Sequence, residues 1–230
     1  TPAGPEAIAS SPWARQSSAH AGPQAAWKHK TLPGKRPTEF RYARHAGRDA
    51  VRVQADGSAS LLRQQLRIEP HALGRLHFSW KVPALMAQAD LGLREADDAP
   101  VRIVLAFEGD RSRFSARDAA LAELVHMLTG EQMPYATLMY AWGTRRQPGS
   151  VVLNPRTGRI RTLVVESGAG GLDRWLDYAR DIRADFERAF GEPPGALVGV
   201  ALMTDSDNTR SRIQAWYGPL RLEPPPRAQP

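Results

Sequence analysis

The chain is 230 residues long, 42% hydrophobic and 24% charged, so it can bury one sizeable core and is not globally disordered. It has no cysteine, which excludes disulfides, thiolate zinc sites, iron–sulfur clusters and a cysteine nucleophile. The net charge of +7 is concentrated in residues 1–48, where eight Lys or Arg stand against two Glu, so it reads as a basic leader rather than a nucleic-acid surface.

Residues 1–26 are rich in Ala, Pro, Ser and Gly and show no hydrophobic period, which predicts a flexible leader. The opening Thr1-Pro2 lacks a methionine; removal of a signal peptide explains this, and so does a cloning choice. The expectation is an exported protein, periplasmic or secreted. No run of 18 apolar residues occurs, so no membrane-spanning helix is expected. A single domain is expected over 27–223, followed by a Pro-rich tail over 224–230 that cannot continue a strand or helix.

Most of the domain alternates apolar and polar residues. Leu62, Leu66 and Ile68 interleave with Arg63, Gln65 and Arg67, and Phe78, Trp80 and Val82 with His77, Ser79 and Lys81. Val101, Ile103, Leu105 and Phe107 share one face, with Arg102 on the other. A period of two with one apolar side predicts strands lying on a core. Further strands are expected over 39–44, 50–55, 136–142, 150–153, 159–166, 196–204 and 211–222, and the run from Ala196 to Met203, apolar on both faces, should be central. Ser115 is placed to cap a helix over 116–129 with Leu121, Leu124, Val125 and Leu128 inward, and Gly130 to end it. A second helix is expected over 173–190, with Trp175, Tyr178, Ile182 and Phe186 inward, Asp173, Asp177, Asp181 and Asp185 as an acidic outer ridge, and Gly191 as its stop. Strands in succession with two helices inserted in loops predict a mostly β protein, a β-sandwich or jelly roll.

No nucleophile elbow, phosphate loop, zinc-protease helix or dinucleotide-binding fingerprint is present. The polar faces of the early strands, with Arg52, Gln54, Arg63, Gln65, Arg67, His77, Ser79, Lys81 and Arg102, suit an anionic or polyhydroxylated ligand if they line a groove; an ordinary wet outer face stands equally. Sugar rings stack on aromatic faces, and Tyr140, Trp142 and Trp216 could supply them. The polar run Thr204–Thr209 offers Asp205, Asp207 and Asn208 to a Ca²⁺ ion, or forms a turn whose carboxylates take backbone amides. The adjacent Asp97 and Asp98 need a cation beside them: Arg94, Arg102 or a metal.

The stretches Ser58–Arg63, Phe78–Val82, Asp97–Arg102, Pro134–Gly143, Phe190–Pro194, Val200–Thr209 and Ala215–Leu220 together resemble a bacterial family, domain of unknown function 3047. The resemblance implies an exported protein whose fold is similar to the jelly rolls of carbohydrate-binding modules; it carries no activity across.

These readings converge on an exported β-sandwich that binds a glycan of acidic character, with Arg63, Lys81 and Arg102 meeting anionic groups and Tyr140, Trp142 and Trp216 stacking. Two alternatives stand beside it. One is a polysaccharide lyase or glycoside hydrolase on the same scaffold. A lyase would move its proton with His77, Lys81 or Tyr140, and a hydrolase would use two carboxyls from Asp97, Asp98, Glu166 and Asp205. The other is a non-catalytic envelope protein that binds through its surface.

Overall fold

The computed structural model describes residues 27–226. The leader over 1–26 and the last residues of the tail lie outside the described residues. The strands are β1 (Trp27–Thr31), β2 (Glu39–His45), β3 (Arg48–Asp56), β4 (Ala59–Ile68), β5 (Arg75–Lys81), β6 (Ala99–Phe107), β7 (Ala136–Gly143), β8 (Val151–Leu153), β9 (Ile160–Ser167), β10 (Leu176–Asp181), β11 (Leu197–Asp205), β12 (Arg212–Tyr217) and β13 (Arg221–Glu223). Two α-helices interrupt them, α1 (Ala116–Thr129) and α2 (Ile182–Phe190).

The strands form a seven-stranded sheet, ordered β1-β4-β11-β6-β7-β9-β8, and a six-stranded sheet, ordered β10-β5-β12-β3-β2 with β13 also on β5. Neighbours are antiparallel except β7 and β9, which run parallel. The apolar run expected to be central is β11, seated between β4 and β6. The fold is a mostly β sandwich with its helices inserted in loops.

Alternation along each strand builds the core. Val101, Ile103, Leu105 and Phe107 of β6 and Leu138, Tyr140 and Trp142 of β7 are fully buried, facing Val51, Val53, Trp80 and Tyr217 of the other sheet. Each such side chain contributes about 1.5–3 kcal/mol by leaving water. Phe78 stacks on Tyr140 with ring centroids 5.6 Å apart and meets Trp80 at 5.1 Å, so aromatic rings tie the two layers together.

Both helix caps form as expected. The Ser115 hydroxyl accepts from the Asp118 N–H at 3.1 Å, and Gly130 and Gly191 close α1 and α2 in the left-handed conformation, each at φ 71°. The face of α1 is turned from that expected: Leu121 and Val125 are half-buried beside Ala122, its buried residue, but Leu124 and Leu128, expected inward, are exposed with Met127. Polar contacts at the two ends set this rotation: Thr157 donates to Asp118 at 2.5 Å, and Glu131, just beyond the helix, pairs with Lys30 and Arg63.

The second expected helix is in fact a strand followed by a shorter helix. Residues 176–181 form β10 on the edge of β5, and α2 begins only at Ile182. Asp181 is the switch, its carboxylate accepting from the Ala184 N–H at 3.0 Å. The four aspartates therefore form no ridge. Asp173 pairs with Lys81, Asp177 with Arg48, and Asp185 is buried against Tyr140 and Arg180.

The basic excess is also placed differently from the expectation. Residues 1–26 carry one Arg and one Glu, so the whole +6 of the first 48 residues falls on 27–48. There Lys30, Lys35, Arg41 and Arg48 are held by Glu131, Asp207, Glu39 and Asp177, as parts of the folded domain.

Candidate binding groove

The outer face of the seven-stranded sheet carries a groove with two contiguous halves. One, of about 740 Å³, is floored by outward residues of β4, β6 and β11 and walled by the segment from Glu131 to Tyr135; Arg67 lies at its far end. The other, of about 420 Å³, has an apolar floor of Leu61, Val104, Met139, Ile160 and Met203, with Arg102 and Asp205 at its end. Arg63, Ala106, Pro134 and Gly199 line both halves. The junction is deep because its floor is small. A Cβ at position 199 would lie 3.6 Å from that of Ala106, an ordinary contact, so a larger side chain there would stand up into the groove.

The electrostatics of the groove come from pairs. Arg102 is 4% exposed; its Nε donates to Asp205 at 2.9 Å and its Nη2 to Asp205 at 3.1 Å and to Asp97 at 3.0 Å. Burial alone would lower the Arg102 pKa, but the charges of Asp205 and Asp97 outweigh it and hold the guanidinium charged. Burial raises the Asp205 carboxyl above the ordinary carboxylate value even with Arg102 beside it. Arg63 grips Glu131 with two bonds, at 2.8 and 3.1 Å, and Lys30 adds a third at 2.8 Å; these bonds lower the Glu131 carboxyl to about 2. Arg67 reaches Glu69 at 2.5 Å and Glu108 at 2.9 Å, and Lys35 pairs with Asp207. Among the described residues, every carboxylate lining the groove is paired with a cation.

A family model described as a protein of unknown function (DUF3047) matches residues 25–221. The chain belongs to this family. No curated protein matches it. Among solved structures it is similar to the xyloglucanase domain of NopAA, a type three effector from Sinorhizobium fredii in complex with cellobiose, at 10% identity and a TM-score of 0.47, over 86% of this chain and 92% of that one. It is also similar to the cellulose induced protein Cip1, at 10% identity and a TM-score of 0.37, over 90% of this chain and 95% of that one.

In this DUF3047 chain the residues expected to share one ligand face are split between two. Arg63 and Arg102 line the groove, but Lys81 and His77 are on β5 of the other sheet. Lys81 pairs with Asp173 at 3.2 Å and His77 with Glu223. Trp216 is on that second face too, its ring stacked 3.9 Å from His45 with the Lys81 ammonium 5.9 Å from its centroid. Alternation told which residues turn outward but not to which sheet each strand belongs.

Tyr140 and Trp142 cannot stack on a ligand, because both are fully buried between the sheets. The Tyr140 hydroxyl donates to Asp185 at 2.9 Å, and burial, reinforced by the Asp185 charge, holds its pKa well above the ordinary value, so it stays a donor. Thus His77, Lys81, Tyr140 and Asp98 do not form one proton-transfer site. Asp98 is buried and accepts from the backbone N–H and side chain of both Asn208 and Thr209, at 2.6–3.2 Å, fixing the 204–209 loop. Asp98, Asp205 and Asp207 do bring carboxylate oxygens within 4.8 Å of one another. Those oxygens already take Arg102, Lys35 and the loop amides, while the Asn208 side-chain amide donates to Asp97 and Asp98. Glu166 accepts from Tyr178 at 2.9 Å and does not line the groove.

The sequence reading missed Asn154 and Arg156 as walls and offered Arg94 only as a cation for Asp97 and Asp98, a place that Arg102 takes at Asp97; all three reach the Arg102 half from loops. Neither loop carries a periodic pattern. The one available signal was the turn chemistry of Asn154-Pro155.

Proposed function

We propose that this protein binds a glycan chain along the groove of the seven-stranded sheet. The observation that carries the reading is the continuity of the two halves, an open channel crossing several strands rather than a closed cavity for one small molecule. Hydrogen-bonding groups on the rim, such as Gln65, Asn154 and Asn208, suit sugar hydroxyls, and Leu61, Val104, Met139 and Met203 offer apolar surface to the C–H faces of sugar rings. Among the described residues the aromatics of the groove, Phe107 and Tyr135, are buried, so stacking is not part of the proposal. The test is direct binding, by calorimetry, to a panel of neutral and uronic-acid oligosaccharides. Binding without turnover, lost in Gly199→Leu, is the expected result, and no binding to any member would overturn the reading. An exported location, periplasmic or secreted, belongs to the same proposal and is tested by cell fractionation.

Hydrolysis is a second reading, favoured by one observation. Glu69 and Glu108 bracket the same Arg67 guanidinium in the larger half, and a glycosidase needs two carboxyls on either side of one bond. Release of reducing ends, abolished by both Glu69→Gln and Glu108→Gln, would establish it. The cation held between them favours binding alone.

A further inference from the structure

Two arginines of the Arg102 half stand apart from the rest of the groove. Arg94 and Arg156 are exposed, line the same half, and among the described residues neither makes an ion pair or a side-chain hydrogen bond. Every other cation there is held: Arg63 by Glu131, Arg102 by Asp205 and Asp97, and Lys35 by Asp207. The unpaired cations of this half are therefore these two guanidinium groups; in the other half Arg111 has no acid partner either, but its guanidinium is tied to the Met133 carbonyl.

Both sit on braced turns. Arg94 is in the turn from Asp90 to Ala96, where the Asp90 N–H donates to the Ala96 carbonyl at 2.7 Å and the Asp90 carboxylate accepts from the Gly92 N–H at 3.0 Å. Arg156 follows Asn154, whose side-chain oxygen accepts from the Arg156 N–H at 2.9 Å. The Asn154 amide also donates to Asp97 at 3.4 Å, joining the two turns, and Asp97 is itself paired with Arg102. Two planar donors are thus presented on braced turns over an apolar floor, and among the described residues every carboxylate that lines the groove already has a cation.

Resting on the glycan reading of the groove, we infer that Arg94 and Arg156 recognise the carboxylate of a uronate-bearing glycan in the Arg102 half. Arg63, Lys81 and Arg102, the residues expected from sequence for that role, are engaged in internal pairs. The ligand's charge is set at one end of the groove, which fixes the direction in which an acidic chain lies.

The experiment compares tetragalacturonate with its neutral methyl ester, by calorimetry, on the wild-type chain, Arg94→Ala/Arg156→Ala, Arg94→Lys/Arg156→Lys and Gly199→Leu. The wild type is expected to prefer the acid by about tenfold or more, the scale of one charge-assisted bidentate contact. The double alanine variant should bind both ligands within about twofold at the wild-type ester affinity, as expected when only a charge contact is removed. The double lysine variant should keep part of the preference. Equal binding of acid and ester by the wild type, blocked by Gly199→Leu, overturns this inference and leaves the groove reading standing. So does an acid preference retained in the double alanine variant. If neither ligand binds the wild type, and no member of the wider panel does, both fail.

Discussion

The Tyr217 hydroxyl, carried by the six-stranded sheet, accepts the backbone N–H of Arg102 in the seven-stranded sheet at 2.9 Å. It donates to the Met203 carbonyl at 2.7 Å, on the strand paired with Arg102. The ladder between β6 and β11 slips at this point, with Met203 opposite Arg102 but Asp205 opposite Ala99. The slip leaves room for Pro100, which has no N–H to pair. One phenol from across the core thereby takes the bonds the two strands forgo and sets the backbone of the groove's most buried cation.

Replacing Tyr217 by Phe keeps the ring and strands the Arg102 N–H and Met203 carbonyl. The expected cost is about 1–3 kcal/mol, the penalty for buried polar groups without partners. Urea unfolding monitored by circular dichroism measures it. A variant as stable as the wild type would show that water replaces the hydroxyl.

Asp185 is a buried charge in the first turn of α2, bonded to Tyr140 at 2.9 Å and to Arg180 at 2.5 and 2.9 Å. Asp185→Ala is expected to cost about 3 kcal/mol, the low end for breaking a buried pair, because the Arg180 side chain is 32% exposed and can turn to water. Tyr140→Phe removes one hydrogen bond and should cost about 1 kcal/mol. The ratio of the two losses, from unfolding midpoints, separates the charge from the phenol.

Glu131 gives the groove wall a pH dependence of known sign. Hydrogen bonds from Arg63 and Lys30 lower its carboxyl from 4.5 to about 2 in the folded chain. Its stabilisation is therefore complete above pH 4.5 and is lost as pH falls through about 2. Glu131→Gln should cost about 1 kcal/mol or less at pH 7, since the pair is partly exposed. Chemical denaturation at successive pH values should show the difference between variant and wild type shrinking below pH 4.5 and vanishing near 2.

The exposed apolar face of α1 yields a prediction opposite to the one periodicity suggests. Leu124→Glu, Met127→Lys and Leu128→Gln together should change stability by no more than about 0.5 kcal/mol per site, as for surface substitutions. Ala122→Leu, on the covered side, should cost about 1–3 kcal/mol by overpacking. Melting temperatures of the two variants decide between the two orientations of the helix.

Local rules made much of this fold legible. Alternation placed β4 and β6, a continuous apolar run placed β11, and side-chain and glycine caps placed the limits of α1 and the end of α2. The failures have identifiable causes. Leu176 and Tyr178 repeat every two residues and run straight into Ile182 and Phe186 at four, so β10 and α2 together mimic one long helical stripe. In α1 a leucine-rich sequence leaves several faces apolar, and contacts with Thr157 and with Lys30 and Arg63, distant in the chain, choose among them. The groove was half visible: Arg63 and Arg102 were found, and Arg102 was among the cations expected beside Asp97, but Glu131 and Asp205 lie on remote segments, so Arg63 looked free and the second acid of Arg102 went unseen. Arg94 and Arg156, which make no ion pair among the described residues, lie in loops where no period singles them out.

The strand at the centre of the groove floor arrives late. β11 separates β4 from β6 in the sheet, with Ala201 opposite both Arg63 and Val104, yet it begins only at Leu197, long after β6 has ended at Phe107. A nascent chain that has emerged through Phe107 holds two strands whose facing edges wait for a third not yet made. The seven-stranded sheet therefore closes only once Asp205 is available, and its long-range pairings make this a slow step. Chains halted or cleaved before that point are left with open, hydrogen-bond-hungry edges of the kind that seed aggregation.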